Sequence, residues 1–306
     1  MRPWRHERLA PTRPSRAAVV GPVGPGGGAL PRVTVSTPGG GAEVYLHGAT
    51  VTAWTPDGEQ PVLWLSRASE LSAGAAIRGG EPICFPWFGV HAGDPGAPRH
   101  GFARLADWAL VEAADAPDGT RLAFRLTDSA ATRGSAWPHR FEATYRVTVG
   151  QALGLALEVV NLDEDAVTFE QALHSYFAVR DVRDVTVTGL EQASYLDQLA
   201  GPEPLPPSGA PLRLTAETDR IYLDPAPSVT IQDPGFGRFI TISGTGSRAT
   251  VVWNPWAEKA RALRDLADDE WPQMLCVETC NVRAAGVRLG PGDRHTMTAT
   301  IQVRRG

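Results

Sequence analysis

The sequence predicts an all-β protein, a large antiparallel β-sandwich with few short helices. Three observations support this fold class. Apolar and polar residues alternate with period two over many short segments, Gly, Pro, Asp and Asn separate those segments, and helical periodicity is scarce. Many half-buried strands with almost no helix favour two packed antiparallel sheets.

Two strands are predicted most clearly, at residues 140–149 and 294–303. In each, apolar residues occupy every second position, so one face packs on the core and the other meets solvent. The residues predicted to face the core are Phe141, Ala143, Tyr145, Val147, Val149, Met297, Ala299, Ile301 and Val303. The further candidate strands are EVYLHG, RLAFRLT, LGLALEVVN, DVTVTG, SVTIQD, RFITISG and RATVVWN.

Helix and loop signals complete the predicted domain organisation. The best helical pattern covers residues 258–270, and the Pro- and Gly-rich segments 91–98 and 201–211 are predicted as long loops. We assign residues 31–306 to a single β-sandwich domain. Residues 1–30 are rich in Arg, Pro and Gly and lack the apolar core of a signal peptide, so we expect a disordered tail.

Composition and charge exclude several classes of protein. The 306 residues are 42% hydrophobic and 21% charged, and the net charge of −5 gives no overall field that attracts nucleic acid. The chain contains no run of about 18 apolar residues, so no membrane span is predicted. Three cysteines do not suggest a disulfide framework and favour a reducing compartment. We expect a cytoplasmic monomer whose partner is a small-molecule substrate.

No cofactor or metal motif is present. Cys276 and Cys280 do not have the C-x-x-C spacing, and the histidines are scattered. Nothing in the sequence places Cys84 or Cys276 beside a base, which disfavours a nucleophilic cysteine. The chain also lacks a G-x-S-x-G motif, a Walker loop and a dinucleotide fingerprint. The sequence therefore predicts a protein without metal or cofactor.

The run MLCVETC places one carboxylate inside an apolar, strand-like segment. In an extended strand Met274, Cys276, Glu278 and Cys280 share one face. A buried, unpaired carboxylate is costly and tends to take up a proton. Glu278 is therefore predicted to be either paired or kept for chemistry.

Two segments concentrate basic residues at loop positions. IRGGEPICFPWFG holds Arg78 in a stretch that two glycines and two prolines make stiff, and PRHGFARLADW supplies Arg99, His100 and Arg104. Guanidinium groups bind phosphate or carboxylate through paired donors. These segments could hold one anionic group; a packed loop and a solvated basic turn are the structural alternatives.

A third segment, FEQALHSYFAV, carries a histidine in strand-like sequence. As a strand, His174 shares a face with Glu170, Ala172 and Tyr176. Its ordinary pKa makes His174 the best acid or base candidate near neutral pH, while a hydrogen-bonded core histidine is the structural alternative. Strands of one sheet could bring His174 and Glu278 together.

Taken in chain order, these segments resemble the glucose-6-phosphate 1-epimerase family, the hexose-6-phosphate mutarotases within the aldose 1-epimerase superfamily. The resemblance runs from roughly residue 40 to residue 303. The matching segments are RGGEPICFPWFG, RHGFAR with the following DW, ALHSYFAV, GL with YLD, ETDRIY, VVWNPW, MLCVE and VRLGPG.

The resemblance implies a galactose mutarotase-like β-sandwich that interconverts the α and β anomers of a hexose 6-phosphate without a cofactor. It implies His174 as general acid and Glu278 as general base. The substrate-binding positions that it suggests are Arg78, Arg99, Arg104 and Asp219, and we place His100 with them. The family often has glutamine before His-Gly-Phe-Ala-Arg, whereas this chain has arginine there.

Ring opening of a sugar explains why both residues are needed. The C1 hydroxyl must lose a proton while the ring oxygen gains one, so one base and one acid act together. We expect burial to raise the pKa of Glu278 and a protonated His174 to keep the carboxylate ionised. Trp253 and Trp256 could stack on a sugar face, with core packing as the alternative.

Three other functions remain open at this point. A non-catalytic carbohydrate-binding sandwich would not need both His174 and Glu278. An aldose 1-epimerase that acts on unphosphorylated sugars would need the pair but no phosphate site. A glycoside hydrolase or lyase would need two carboxylates, for which Asp219 and Glu278 are candidates.

Overall fold

A computed structural model describes residues 17–21 and 30–306 of the chain. The predicted disordered tail, residues 1–30, lies mostly outside these described residues. Within it, Ala18–Gly21 form a strand that pairs with Arg32–Thr37, so the prediction of disorder is wrong for those four residues. For the rest of the tail, and for the single domain over residues 31–306, the assignment stays a prediction.

Strands dominate the described part of the chain. In chain order they are β1 (Ala18–Gly21), β2 (Arg32–Thr37), β3 (Gly40–Tyr45), β4 (Val51–Pro56), β5 (Ile83–Cys84), β6 (Ala109–Ala116), β7 (Gly119–Thr127), β8 (Phe141–Val149), β9 (Ala152–Asn161), β10 (Val167–Phe169), β11 (Gln171–Leu173), β12 (Tyr176–Ala178), β13 (Thr186–Thr188), β14 (Tyr195–Asp197), β15 (Thr218–Leu223), β16 (Ser228–Asp233), β17 (Arg238–Thr245), β18 (Ala249–Asn254), β19 (Met274–Asn281), β20 (Val287–Leu289) and β21 (Arg294–Arg305). The helices are α1 (Ala130–Arg133) and α2 (Trp256–Ala262), with 3₁₀ turns at Ala103–Leu105, Trp271–Gln273 and Arg283–Ala285.

Antiparallel pairing assembles these strands into two large sheets and two small ones. The eight-stranded sheet has the order β13-β16-β17-β21-β9-β8-β7-β6, and the seven-stranded sheet has the order β14-β15-β18-β19-β11-β5, with β12 also pairing with β19. A four-stranded sheet, β1-β2-β3-β4, and the pair β10-β20 complete the fold. Side chains from the two large sheets and the four-stranded sheet form one hydrophobic core. This architecture confirms the predicted antiparallel β-sandwich.

The predicted strands are confirmed where alternation was strongest. In β8 the five apolar residues from Phe141 to Val149 are all buried and the polar residues between them are half-buried. In β21, Met297, Ala299 and Ile301 are buried, while Val303 is half-buried near the strand end. The inward-facing side chains are fixed by packing between the sheets, which is the environment that the alternation predicts.

The helix predicted over residues 258–270 is wrong at both ends. The helix α2 begins at Trp256, whose backbone N–H donates to the Asn254 side chain, and it ends at Ala262. The following residues leave the helix because their side chains make tertiary contacts instead. Leu266 is buried among apolar side chains, and the Glu270 carboxylate accepts a hydrogen bond from Ser66 Oγ at 3.0 Å.

The segment predicted as one strand around His174 is three short strands, β10 to β12, interrupted at Glu170 and at His174–Ser175. The predicted loops hold no helix or strand beyond an isolated pairing of Leu205 with Tyr195. None of the helices in the described ranges has the length and apolar content that crossing a bilayer requires.

Candidate active site

The strand β19 separates the main core from a second, smaller apolar region. Leu275 and Val277 point into the main core. Met274, Cys276 and Cys280 point to the opposite side, where they pack in two small apolar clusters. The face predicted for Glu278 is therefore the outer face of the seven-stranded sheet, which confirms the period-two assignment of this run.

A single rung across the seven-stranded sheet forms the floor of the candidate site. Asp219 on β15 lies opposite Trp253 on β18, Trp253 lies opposite Cys276 on β19, and Cys276 lies opposite Tyr176 on β12. Cross-strand neighbours such as these share one face of the sheet. The backbone pairing thus brings together residues that are up to a hundred positions apart in the sequence.

His174 and Glu278, the two residues expected to act as acid and base and here called the catalytic pair, meet on this floor. His174 Nε2 lies 3.4 Å from Glu278 Oε1, and their side chains are 7% and 1% exposed. That separation is too long for a strong hydrogen bond. Glu278 Oε2 is buried and has no hydrogen-bond partner among the described residues. A buried polar atom without a partner is costly, so this oxygen marks a place where a ligand can donate a hydrogen bond.

The surroundings of the pair disfavour charge on both members. Burial raises the pKa of the Glu278 carboxyl well above its usual range; Asp219 and Glu81 raise it further and Arg104 opposes the rise. Burial lowers the pKa of the His174 imidazole well below its usual range, and nearby guanidinium groups, Arg104 first, lower it further. The rise at Glu278 agrees with the sequence-based expectation. The lowered pKa of His174 runs against the expected imidazolium, because burial and the nearby guanidinium groups both favour the neutral ring.

A chain of contacts fixes the orientation of the His174 ring. The ring stacks on Tyr176 with centroids 4.8 Å apart and planes 6° apart. Arg78 Nη1 donates to Tyr176 Oη at 2.9 Å, and Arg78 Nη2 lies 2.9 Å from Asp265 Oδ2. Arg78 therefore lies beside the pair, but all three of its guanidinium nitrogens are already engaged by protein groups, because Nε also donates to Asp265 Oδ2 at 3.0 Å.

The segment around His100 lies beside the pair. The His100 and His174 rings are 5.6 Å apart. His100 Nδ1 accepts from the Gly89 backbone N–H at 3.3 Å and contacts Cys84 Sγ at 3.4 Å. No local pattern in the sequence indicates that Cys84 lies beside a histidine, but the structure places the two in contact. Burial nevertheless raises the pKa of the Cys84 thiol, which keeps the sulfur protonated and a poor nucleophile.

Arg104 is the cation of this segment that lacks an acidic partner. Its Nη2 donates to the Arg99 backbone carbonyl at 2.8 Å, and its Nε is buried without a hydrogen-bond partner among the described residues. No carboxylate in residues 17–21 and 30–306 forms an ion pair with Arg104, and burial lowers its pKa. The Arg99 side chain is exposed and likewise makes no ion pair within those ranges. Both guanidinium groups are free to meet an anion.

Asp219 occupies the far end of the rung and belongs to a polar network. Its Oδ1 accepts from Gln198 Nε2 at 2.6 Å, and Gln198 Oε1 accepts from Arg283 Nη2 at 3.0 Å. Arg283 in turn lies 3.6 Å from Glu170. Burial raises the pKa of Asp219, and the Gln198 hydrogen bond opposes that rise. The network leaves Asp219 at the edge of the floor, where it can accept a further hydrogen bond.

The two tryptophans separate into different environments. Trp253 stands on the rung, with its ring 6.3 Å from the His174 ring. Trp256 packs against Trp271 at a centroid distance of 4.4 Å. A stacking role on a ligand is therefore geometrically open to Trp253, whereas Trp256 fits the core-packing alternative.

One group of side chains in the described ranges has the composition of a metal site. The ligand-type atoms of His174, Cys276 and Glu278 all lie within 4.8 Å of one another. Burial raises the pKa of the Cys276 thiol well above its usual range, so the sulfur would have to lose a tightly held proton before it could bind a cation. The metal-free site stays a prediction.

Several residues of the site were not singled out from the sequence. Gln198, Asp265 and Arg283 act through partners that are far away in the sequence, and no local pattern marks them. Cys276 was placed on the correct face but not beside the pair. Glu81 did carry a signal, because it is a carboxylate between glycines and an apolar run, as Glu278 is.

Comparisons with known proteins show which proteins this chain is similar to. A family model described as aldose 1-epimerase matches residues 31–302. A Salmonella typhimurium protein provisionally named glucose-6-phosphate 1-epimerase is 37% identical over 250 residues, covering 82% of this chain and 83% of that protein. A Cenchrus ciliaris protein with the same provisional name is 35% identical over 261 residues, covering 82% and 78%. The crystal structure of YeaD from Salmonella typhimurium, provisionally named a mutarotase, has a TM-score of 0.87 and 32% identity, covering 97% of both chains.

Proposed function

The chain belongs to the aldose 1-epimerase family, and from this premise we propose that it interconverts the α and β anomers of a hexose 6-phosphate. Membership makes it an isomerase, and its fold is that of a mutarotase. One observation carries the proposal. The buried catalytic pair is in contact at 3.4 Å and Glu278 Oε2 lacks a partner among the described residues, while Arg104 beside the pair lacks an acid.

The spacing of the pair fits the reaction. In ring opening the proton donor acts on the ring oxygen O5 and the base acts on the C1 hydroxyl, and both oxygens are bonded to C1. An acid and a base that serve two oxygens on one carbon must be close neighbours. Glycoside hydrolases instead hold two carboxyl groups about 5–9.5 Å apart, because the scissile glycosidic bond, and in inverting enzymes also a water molecule, lies between the two groups. A histidine and a carboxylate 3.4 Å apart suit proton exchange at one carbon.

The pair needs one shared proton to complete the cycle. In the free site that proton is favoured on Glu278. Sugar hydroxyls that donate to Glu278 Oε2 stabilise the carboxylate, and the proton then moves to His174 Nε2 as the two side chains close the 3.4 Å separation between Nε2 and Oε1. The carboxylate takes the C1 hydroxyl proton while the imidazolium protonates O5, which opens the ring. Rotation about C1–C2 and the reverse transfers close it on the other face and restore the pair.

The arginine segment supplies a site for the phosphate. Arg104 and Arg99 together offer guanidinium donors that meet no carboxylate among the described residues. Charge-assisted contacts to phosphate are strong and directional, and they can position a reacting carbon several bonds away. His100 and Asp219, on two sides of the pair, are proposed to bind the sugar hydroxyls. We keep a cytoplasmic monomer with reduced cysteines as part of this proposal.

Anomer exchange measured by NMR tests the proposal. Glucose 6-phosphate, glucose and galactose are each followed with protein, with buffer alone, and with protein in the presence of a chelator. We expect exchange with glucose 6-phosphate to be much faster than exchange with the free sugars, and unchanged by the chelator. Equal acceleration of the free sugars would favour an aldose 1-epimerase without phosphate specificity. Binding without acceleration would overturn the enzyme and leave a carbohydrate-binding sandwich, and sugar release from a glycoside would identify a hydrolase.

The acid limb of the pH profile is expected to lie below about pH 6.5, the ordinary histidine pKa. On the acid side, activity is lost when His174 is protonated while Glu278 also keeps a proton, so that the pair holds two protons instead of one. The pKa of His174 is lowered by burial and by Arg104. Exchange rates between pH 5 and 8 would check this. Arg104→Ala should move the limb to higher pH, because it removes a positive charge that disfavours the imidazolium. Activity that already falls between pH 7.5 and 6.5 in the unmodified protein would contradict it.

A further inference from the structure

The segment Gly80–Pro82 runs directly beneath His174. Gly80 adopts φ = +67°, and a Cβ there would lie 2.2 Å from the Val51 carbonyl oxygen. Only glycine therefore lets this segment pass so close to the backbone of Val51. The carbonyl of Gly80 accepts from the Tyr176 N–H at 2.9 Å, and the carbonyl of Pro82 accepts from the His174 N–H at 3.0 Å. Two backbone hydrogen bonds thus hold the interrupted strand on both sides of Ser175.

The side chain of Glu81 adds a third bond between these two. Its Oε1 accepts from Ser175 Oγ at 3.0 Å, and the residue is 0% exposed. Its Oε2 is buried without a partner among the described residues. Tyr145, on the facing sheet, is equally buried, and after burial itself the charge of Glu81 also raises the pKa of the Tyr145 hydroxyl. Burial raises the pKa of Glu81 to about 8, and the Ser175 hydrogen bond opposes the rise. At neutral pH Glu81 is therefore mostly a neutral acid.

Ser175 connects Glu81 to both members of the catalytic pair. It follows His174 directly, and because neighbouring side chains of an extended chain point to opposite faces, its hydroxyl is directed away from the face that carries His174. Its carbonyl accepts from the Val277 N–H at 3.2 Å, next to Glu278. The hydroxyl and the carbonyl of Ser175 are thus both held, one by Glu81 and one by β19.

We propose that Glu81 is a positioning residue for the isomerase reaction, which acts through Ser175 to hold His174 in register with Glu278. The inference rests on the proposed function. A buried acid is costly compared with an apolar residue of the same size, and the contacts made by Glu81 explain its presence at this point.

Three variants test this role. Glu81→Gln imitates the neutral acid and keeps a carbonyl that accepts from Ser175, so it should retain kcat within about threefold. Glu81→Leu and Ser175→Ala each remove the side-chain bond and should lower kcat by about 10–100-fold for phosphorylated and free sugar alike, with KM little changed. The double variant should be no slower than the slower single variant, because both remove the same bond.

A matched control separates positioning from general stability. Glu270 is another buried acid that accepts from a serine, Ser66 Oγ at 3.0 Å, and it is placed outside the catalytic machinery. Glu270→Leu should lower the free energy of unfolding as Glu81→Leu does, while it leaves kcat unchanged. Parental kcat in folded Glu81→Leu would overturn the proposal, and so would multiplying losses in the double variant.

The resonances of the His174 ring give a readout that does not depend on activity. In ¹⁵N-edited spectra, Glu81→Leu should shift the His174 ring signals, and Glu81→Gln should restore them. His139, which pairs with Asp163, serves as the internal reference. If the unmodified protein catalyses no exchange, the proposed function fails while these shifts still report whether Glu81 positions His174. Unshifted His174 signals in Glu81→Leu would overturn the positioning role even in an active enzyme.

Discussion

Replacing Glu278 by glutamine is expected to lower kcat for anomer exchange by about 10²–10⁴-fold, the usual contribution of one positioned acid or base. Glutamine has nearly the shape of a protonated glutamate, so the side chain still fits its buried position beside His174. It cannot accept the C1 hydroxyl proton, and it cannot pass a proton to the imidazole. NMR exchange spectroscopy on glucose 6-phosphate measures the loss, and circular dichroism confirms the fold.

Glu158→Gln is the matched control for this substitution. Glu158 is also a mostly buried glutamate, with a side chain that is 13% exposed and lies 3.5 Å from Arg146, but it belongs to the eight-stranded sheet. Exchange rates should be the same as in the unmodified protein. Parental activity in a folded Glu278→Gln variant would remove Glu278 from the mechanism and leave the pair as a binding site.

Glu278→Gln should also stabilise the protein at neutral pH. Because the folded-state pKa of Glu278 is raised, the folded chain binds this proton more tightly than the unfolded chain. The free energy of unfolding therefore falls as pH rises from the unfolded pKa, about 4.3, through the folded value. Glutamine does not ionise in either state and avoids that loss. A higher urea midpoint at pH 7, with the difference vanishing near pH 4, is the expected result.

The parts of the fold that follow from local pattern were predictable from the sequence. The strand β8 alternates without a break, and its five apolar residues are buried as predicted. The helix near residue 260 was overextended because helical periodicity does not register tertiary contacts. Asp265 contacts Arg78, which is 187 positions away, and such a contact leaves no trace in the periodicity of either segment.

The candidate site was predictable where a residue type conflicted with its surroundings. Glu278 stood out as a carboxylate in an apolar strand, and the structure places it beside His174. Glu81 showed the same conflict, but its neighbours drew attention to Arg78 instead. The protonation preference of the pair could not be predicted, because it depends on complete burial and on the direction from which Arg104 approaches. These depend on three-dimensional packing rather than on spacing along the chain.

Removing the Arg104 guanidinium is expected to weaken the use of phosphorylated substrate selectively. A hydrogen bond to a charged group contributes about 1.5–3 kcal/mol, so Arg104→Ala should lower kcat/KM for glucose 6-phosphate by roughly 10–100-fold more than for glucose. Removing a half-buried cation without an acidic partner should not destabilise the fold. Arg99→Ala, at an exposed side chain, should show a smaller selective loss. The ratio of the two kcat/KM values, measured by NMR exchange for each variant, is the test.

Two further arginines make the comparison decisive. Arg305 is exposed and pairs with Glu59 at the end of β21, so Arg305→Ala should change kcat/KM for neither sugar. Arg78 is already bonded to Asp265 and Tyr176 and supports the stacking partner of His174, so Arg78→Ala should slow both sugars alike. If Arg104→Ala lowered kcat/KM equally for both sugars, Arg104 would have the same role as Arg78, which is to support the catalytic pair. The phosphate would then have to be bound elsewhere, and the specificity for a hexose 6-phosphate would lose its structural support.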